Sequence, residues 1–281
     1  MPIPSWPDDL KIAYPDDPDP DQAGHGLVCF PLIKHTVAPR EPMLVWGMAP
    51  GEQSAMLFIL QRLRPKLSIE IGTFLGGSLQ AIAKYSDRVY SIDMDAGVST
   101  LLNGRFPNVE YLIGSSDSLL PQVVETIQNA DAPLSFVLID GGHSTETVRN
   151  DINQLLRFRP TVPLYILMHD SFNPDCRAGM RTASWANNPY VHSVELDFVI
   201  GTIVATPSHR NQMWCGLGLA ILLPQQREGK FEITARAELT FQVATKAIYA
   251  SSLLRRAAGR AGRVADHLKA KWSRVPRTRG G

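Results

Sequence analysis

Cysteine is scarce: Cys29, Cys176 and Cys215 are spread over 281 residues without a CxxC pair. That spacing argues against a disulfide framework or a cysteine-rich zinc site and leaves buried thiols as the reading. Long apolar runs are missing too, since no uncharged stretch reaches the roughly 18 residues a membrane span requires. The N-terminus MPIPSWPDDLKIAYPDDPDPDQ has neither the basic start nor the apolar segment of a secretory signal, so a cytoplasmic location is expected. Charge of one sign is also lacking, with 28 Lys+Arg against 27 Asp+Glu. With 44% hydrophobic and 20% charged residues, and no internal repeat, the chain reads as globular rather than disordered, collagenous or coiled-coil.

The near-zero net charge conceals two uneven ends. Residues 252–281 hold nine Lys/Arg and one Asp, whereas the stretch from Asp8 to Asp21 holds six Asp and one Lys. The middle is left near neutrality, without the broad basic face that nucleic-acid binding needs, and a small-molecule partner is expected instead. Prolines 2, 4, 7, 15, 18, 20, 31, 39 and 42 deny residues 1–45 a long helix and mark an extended arm or lid. From Leu253, apolar residues recur at three- and four-residue steps (Leu254, Ala257, Ala261, Val264, Leu268, Trp272) beside a dense basic complement. The pattern predicts an amphipathic basic helix within a C-terminal extension, residues 225–281. It suits an anionic membrane surface or acidic partner, or packing on its own domain or on a second subunit of a homo-oligomer.

Between these ends the periodicity alternates. Met56, Leu57, Leu60 and Leu63 have helical spacing and stop at Pro65. Short apolar runs at 67–71, 88–92, 109–113, 135–139 and 164–168 are separated by helical stretches near 79–83, 96–105, 118–128 and 144–158. Strands alternating with helices in this way predict an α/β, doubly wound, Rossmann-like sheet over residues 46–224, mostly parallel. Residues 191–206 and 214–223 read as two adjacent strands joined by a polar turn at 207–212, an antiparallel hairpin closing that sheet.

In such sheets ligands bind beyond the carboxyl ends of the strands. The first end reads Glu70-Ile71-Gly72-Thr73-Phe74-Leu75-Gly76-Gly77-Ser78, a small-residue turn into a helix N-terminus that would admit a nucleotide or carboxylate or would serve as a plain tight turn. It is neither GxGxxG nor GxxxxGK[ST], which argues against a nicotinamide-dependent dehydrogenase and excludes a P-loop. Asp93, at the second end, is placed to accept hydrogen bonds from ribose hydroxyls or to cap a helix. Ser116 and Asp117 follow the third strand, suited to a base edge or again to capping. The last two ends, Ile139-Asp140-Gly141-Gly142-His143 and Met168-His169-Asp170, each put ionisable groups directly after an apolar run. If those strands are neighbours, Asp140, His169 and Asp170 form a mixed oxygen and nitrogen set able to hold a divalent metal, with His143 able to move a proton.

Taken in order, Glu70-x-Gly72-x-x-x-Gly76-x-Ser78, Ser91-Ile92-Asp93, Gly114-x-Ser116 with Leu120-Pro121, Ile139-Asp140-Gly141-Gly142-His143 and His169-Asp170 resemble the class I S-adenosylmethionine-dependent methyltransferases, and among them the bacterial small-molecule O-methyltransferases. The resemblance covers Gly51 to Asp170. It implies that S-adenosyl-L-methionine is the methyl donor, with Glu70, Gly72, Thr73, Gly76 and Ser78 along its methionine part and Asp93 on its ribose. Ser116 and Asp117 would border the adenine, with Asp140 also at the cofactor. In metal-dependent relatives, which include catechol-type and macrolide or aminocoumarin sugar O-methyltransferases, the positions of Asp140, His169 and Asp170 bind Mg²⁺. His169 departs from the usual carboxylate and shifts preference from Mg²⁺ towards Mn²⁺ or another nitrogen-accepting metal. His143 falls where some relatives carry a catalytic base. The expected activity is methylation of a hydroxyl on a small molecule or sugar; the competing expectation is a methyltransferase-like module that binds the cofactor without catalysis.

Overall fold

Strands that must be covered on both faces read as apolar almost throughout, and Leu67–Ile71 and Leu134–Ile139 are buried at every residue. The structure is a computed structural model and describes residues 44–204 and 212–248. It opens with α1 (Pro50–Leu63), whose start is set by Pro50 in the first turn and by Glu52, which accepts the Ala49 N–H at 2.5 Å. Arg64, in the left-handed region at φ 46°, ends α1 ahead of Pro65. Then follow β1 (Leu67–Ile71), α2 (Gly77–Tyr85), β2 (Arg88–Asp93), α3 (Ala96–Leu101), β3 (Val109–Ile113), α4 (Ser116–Asn129), β4 (Leu134–Ile139), α5 (Thr145–Leu155), β5 (Leu164–His169) and α6 (Pro174–Thr182). The chain continues through β6 (Val191–Val199), β7 (Thr202–Val204), β8 (Gln212–Trp214), β9 (Leu217–Leu222) and β10 (Ile233–Thr234).

Among the described residues one eight-stranded sheet runs in the order β10-β6-β9-β5-β4-β1-β2-β3. Every pairing is parallel except those of β9, which lies antiparallel between β5 and β6. This is the mostly parallel, doubly wound sheet with a terminal antiparallel hairpin that the sequence predicts. One apolar cluster joins one side of the sheet to α4, α5 and α6 through Leu120, Ile152 and Met180; the other joins the opposite side to α1, α2 and α3 through Met56, Ile82 and Val98. The chain winds outward from β1 through β2 to β3, then returns to β4 on the far side of β1. The strand order therefore reverses between β1 and β4, and the crevice for a ligand opens at their carboxyl ends.

Three local features differ from the sequence expectation. The two strands expected across 191–206 and 214–223 are broken, because Cys215 (φ 62°) and Gly216 (φ 87°) turn the chain, and β7 and β8 leave the sheet as a separate antiparallel ribbon. The expected turn at 207–212 lies largely outside the described residues. Between 171 and 189, where the sequence suggests no element, Asn173 caps α6 by accepting the N–H groups of Asp175 at 2.9 Å and Cys176 at 3.3 Å. The third helix stops at Leu101, short of the expected reach to 105. Contacts divide the chain into Met1–Ala237, which includes β10, and Glu238–Gly281. The second unit contributes a helix over 238–248, and the basic helix expected from Leu253 lies outside the described residues, as does the arm up to residue 43. Cys176 and Cys215 are buried cysteines, with burial pushing the Cys176 thiol up to about 12. No described helix is long and apolar enough to cross a membrane.

Three buried ionisable residues make the fold testable. Arg177 of α6 meets Asp197 of β6 in a bidentate pair at 2.8 and 3.2 Å, and Asp197 also accepts the Ala237 N–H at 2.8 Å. Both side chains are almost fully buried, so Asp197→Ala strands a guanidinium and should cost about 3–5 kcal/mol in a urea titration. Asp151 of α5 is 1% exposed, and burial raises its carboxyl to about 6, opposed by the nearby Ser116. A raised carboxyl pKa means that stability is greatest while the group is protonated and falls as pH climbs from the ordinary carboxylate value through about 6. Asp151→Asn should remove that fall, gaining up to about 3 kcal/mol at pH 8 and nothing near pH 4.

Candidate active site

At the end of β1 the chain must pass very close to the end of β4. Asp140 N–H donates to Ile71 O at 2.8 Å, and a β-carbon on residue 72 would fall 2.1 Å from Asp140 O. With φ at +88°, only glycine fits position 72. Gly76, also at positive φ, precedes α2, and Leu44–Trp46 runs across this turn, with Val45 bridged to Gly76. A β-carbon on Gly77 would lie 2.1 Å from Val45 O, so the small residues here serve the crossing chain as well as the turn.

Glu70 is fully buried beneath this turn. Ser78 Oγ donates to its Oε1 at 2.6 Å, and its Oε2 has no hydrogen-bond partner among the described residues. Burial pushes its carboxyl up to about 8, helped by Asp140 and Asp93 and opposed by Ser78 and Thr73. The Thr73 hydroxyl pairs with that of Ser91. Asp93 Oδ2 accepts the N–H groups of Thr73 at 2.8 Å and Phe74 at 2.9 Å, and its Oδ1 accepts that of Asp95 at 2.8 Å, so the β2 carboxylate organises the β1 turn. Ser115, rather than Asp117, caps α4 by accepting the Asp117 N–H at 3.3 Å. Asp117 is exposed in the first turn, and Ser116 lies above the buried Asp151.

β4 and β5 are paired in register, Ile139 beside Met168, and this brings the four predicted ionisable groups together. Asp140, His143 and Asp170 each offer a ligand atom within 4.8 Å of the other two. His143 Nε2 is 3.0 Å from Asp170 Oδ2, and its ring stands edge-on to Trp214 with centroids 5.4 Å apart. His169 places Nδ1 at 2.9 Å from Asp140 Oδ1 and 3.5 Å from Asp170 Oδ2. Its Nε2 is 3.4 Å from Glu52 Oε2. Asp170 sits in the left-handed region at φ 56°, held there by the β5–β9 pairing and by the Cys215 N–H, which donates to its Oδ1 at 2.6 Å. Non-glycine residues in this region cost roughly 1 kcal/mol or more and cluster at functional sites.

The charges reinforce one another. The Asp170 hydrogen bond raises His143 above its ordinary value despite partial burial. Burial alone would lower His169, but Asp140 and Asp170 outweigh it and hold the imidazole well above its usual range. Burial would likewise raise Asp170, yet His169 and His143 keep its carboxyl well below normal. Two groups at the site escape a reading of the sequence. Glu52 looks like an ordinary first-turn acid, and Trp214 like a strand residue; only the tertiary fold brings each to a histidine.

The β1–β2 side of the crevice suits a cationic ligand, because Asp93 and Asp140 lie within electrostatic reach of Glu70, whose buried Oε2 has no partner among the described residues. Two carboxylates with neighbouring imidazoles are also a sound donor set for a divalent transition metal.

Comparison with known proteins bears on the same segment. Residues 69–171 match a family described as a methyltransferase domain. Among solved structures the chain is similar to cofactor-bound Rv0187 from MTB, at 19% identity, covering 66% of this chain and 85% of that one with a TM-score of 0.47. It is similar to the Bacillus cereus O-methyltransferase in complex with SAH, at 15% identity, 63% and 82% coverage and a TM-score of 0.44. It is also similar to the O-methyltransferase TomG from Streptomyces achromogenes in complex with SAM, at 17% identity, 66% and 83% coverage and a TM-score of 0.47. No curated protein matches. All the site residues anticipated from the motifs, Glu70 to Asp170, lie within residues 69–171, the segment that matches the methyltransferase-domain family.

Proposed function

We propose that this protein transfers a methyl group from S-adenosylmethionine to a hydroxyl of a small molecule or sugar, with His143 as general base and a divalent cation at Asp140, His169 and Asp170. The observation that carries this reading is the His143–Asp170 contact of 3.0 Å beside Asp140, at the mouth of the crevice between β1 and β4. The donor's sulfonium supplies an already activated methyl group. A cation at the acids, when bound, would lower the acceptor hydroxyl's pKa and orient it.

The protein's share of the work is positioning and proton removal. Asp93 offers negative charge through the turn it organises, and a cationic donor would draw Glu70, whose carboxyl burial otherwise holds up at about 8, into its charged form. Asp170 Oδ2 accepts from His143 Nε2–H, which leaves Nδ1 as the ring position that takes the acceptor's proton. Trp214 limits the swing of that ring, and before a cation enters, the buried His169 keeps Asp140 and Asp170 from separating under mutual repulsion. His143 side-chain exposure of 46%, against 8% for His169, favours His143 as the group that meets an incoming acceptor and His169 as the nitrogen that faces a cation. The acceptor class follows from the resemblance of the motifs, and the C-terminal basic segment remains a proposed contact with an anionic surface or a second subunit.

His143→Ala should lower kcat roughly a hundredfold or more while the S-adenosylmethionine Kd, measured by calorimetry, stays within about threefold. Retained turnover would remove the base assignment, and cofactor binding without turnover in the wild type would favour the non-catalytic module. EDTA should abolish turnover and Mn²⁺ restore it, whereas Asp140→Asn should stay inactive with Mn²⁺ added. Turnover unchanged by EDTA would show that no cation is needed.

A further inference from the structure

Glu52 comes from the first turn of α1, 117 residues before His169 in sequence, yet its Oε2 reaches 3.4 Å from His169 Nε2. Its capping role accounts for one bond, the Ala49 N–H at 2.5 Å. Capping does not account for its depth: a residue that caps a helix gains nothing from complete burial, and a carboxylate taken out of water is costly unless charge or hydrogen bonds offset it. Glu52 is 0% exposed, and its Oε1 is buried without a hydrogen-bond partner among the described residues. The fold has brought this acid to one particular imidazole, whose opposite nitrogen lies 2.9 Å from Asp140 Oδ1 and 3.5 Å from Asp170 Oδ2.

We propose that Glu52 is a positioning residue of the cation site, the outer carboxylate of a carboxylate–histidine–metal arrangement. A carboxylate only accepts, so once a cation displaces the proton on Nδ1, the remaining proton, shared with Glu52, resides on Nε2 of His169 and the Nδ1 lone pair is directed to the point where Asp140 and Asp170 converge. Glu52 touches neither the cation nor the acceptor; it fixes the tautomer and the ring plane. This deepens the metal-assisted reading above and rests on it. It also explains the exchange of an oxygen ligand for an imidazole at residue 169: a nitrogen donor needs a partner on its far side, and α1 supplies one.

The test uses the full chain and Mn²⁺ alone as probe, with free Mn²⁺ followed by electron paramagnetic resonance. Glu52→Gln retains a carbonyl oxygen for the Ala49 N–H but removes the carboxylate from Nε2, and should weaken Mn²⁺ binding about 10- to 100-fold. The melting midpoint of the metal-free protein should move little. In a His169→Asn background the same substitution should cause no further loss, because Glu52 acts through that ring. Should Glu52→Gln fail to fold, Glu52→Asp, which keeps the charge but withdraws it from the ring, should show the same weakening. Wild-type affinity in Glu52→Gln, or in Glu52→Asp where that variant is used, would overturn the proposal alone, as would losses that multiply in the double variant. A wild-type chain that binds no Mn²⁺ would overturn both the proposal and the metal-assisted reading.

Discussion

The backbone oxygen of Asp140 occupies the space that a β-carbon at residue 72 would need, and the rest of the site follows from that approach. It fixes the separation of the β1 and β4 ends where the strand order reverses. The β1 turn, with Glu70 below it and Asp93 clamping it from β2, then faces the acids of β4 and β5 across a narrow crevice. On the proposed reading, a donor held by one wall would be brought against an acceptor held by the other, and proximity of that kind would supply a large part of the acceleration of a methyl transfer whose leaving group is already activated.

The second wall is a charge network in which no member is stable alone. Asp140 and Asp170 would repel each other at this distance, and the buried His169 would prefer to be neutral without them. Together they hold the imidazole high and the Asp170 carboxyl low. The left-handed backbone of Asp170 belongs to the same arrangement, since that turn directs its two oxygens separately, one to the Cys215 N–H and one to the histidines.

Much of this was legible in the sequence because it depends on local pattern. Apolar runs ending in Glu70, Asp93, Asp140 and His169-Asp170 marked strand ends, and alternation with helical spacing implied that those ends would share one edge. What was not legible depends on chain reversal and on long-range approach. Cys215 and Gly216 carry no strong turn signature, so in the sequence the β7–β8 ribbon is indistinguishable from the adjoining ends of the two strands expected over 191–206 and 214–223. Asn173-Pro174 starts α6 with a cap that a short polar segment obscured. Glu52 had a sufficient local explanation as a first-turn acid, and nothing in the order of residues says that its carboxylate will turn inward to His169 rather than outward to water.

The crossing of Leu44–Trp46 over the Gly76-Gly77 turn bears on how the molecule can be shortened. Leu44 and Trp46 are buried in the α1–α3 side of the core, and Val45 adds a bridge to Gly76. The described structure thus begins against the very loop that would face the proposed donor. A trimmed version that discards the acidic, proline-rich residues before these must begin no later than Leu44, because a later start would remove the brace behind that loop along with the arm.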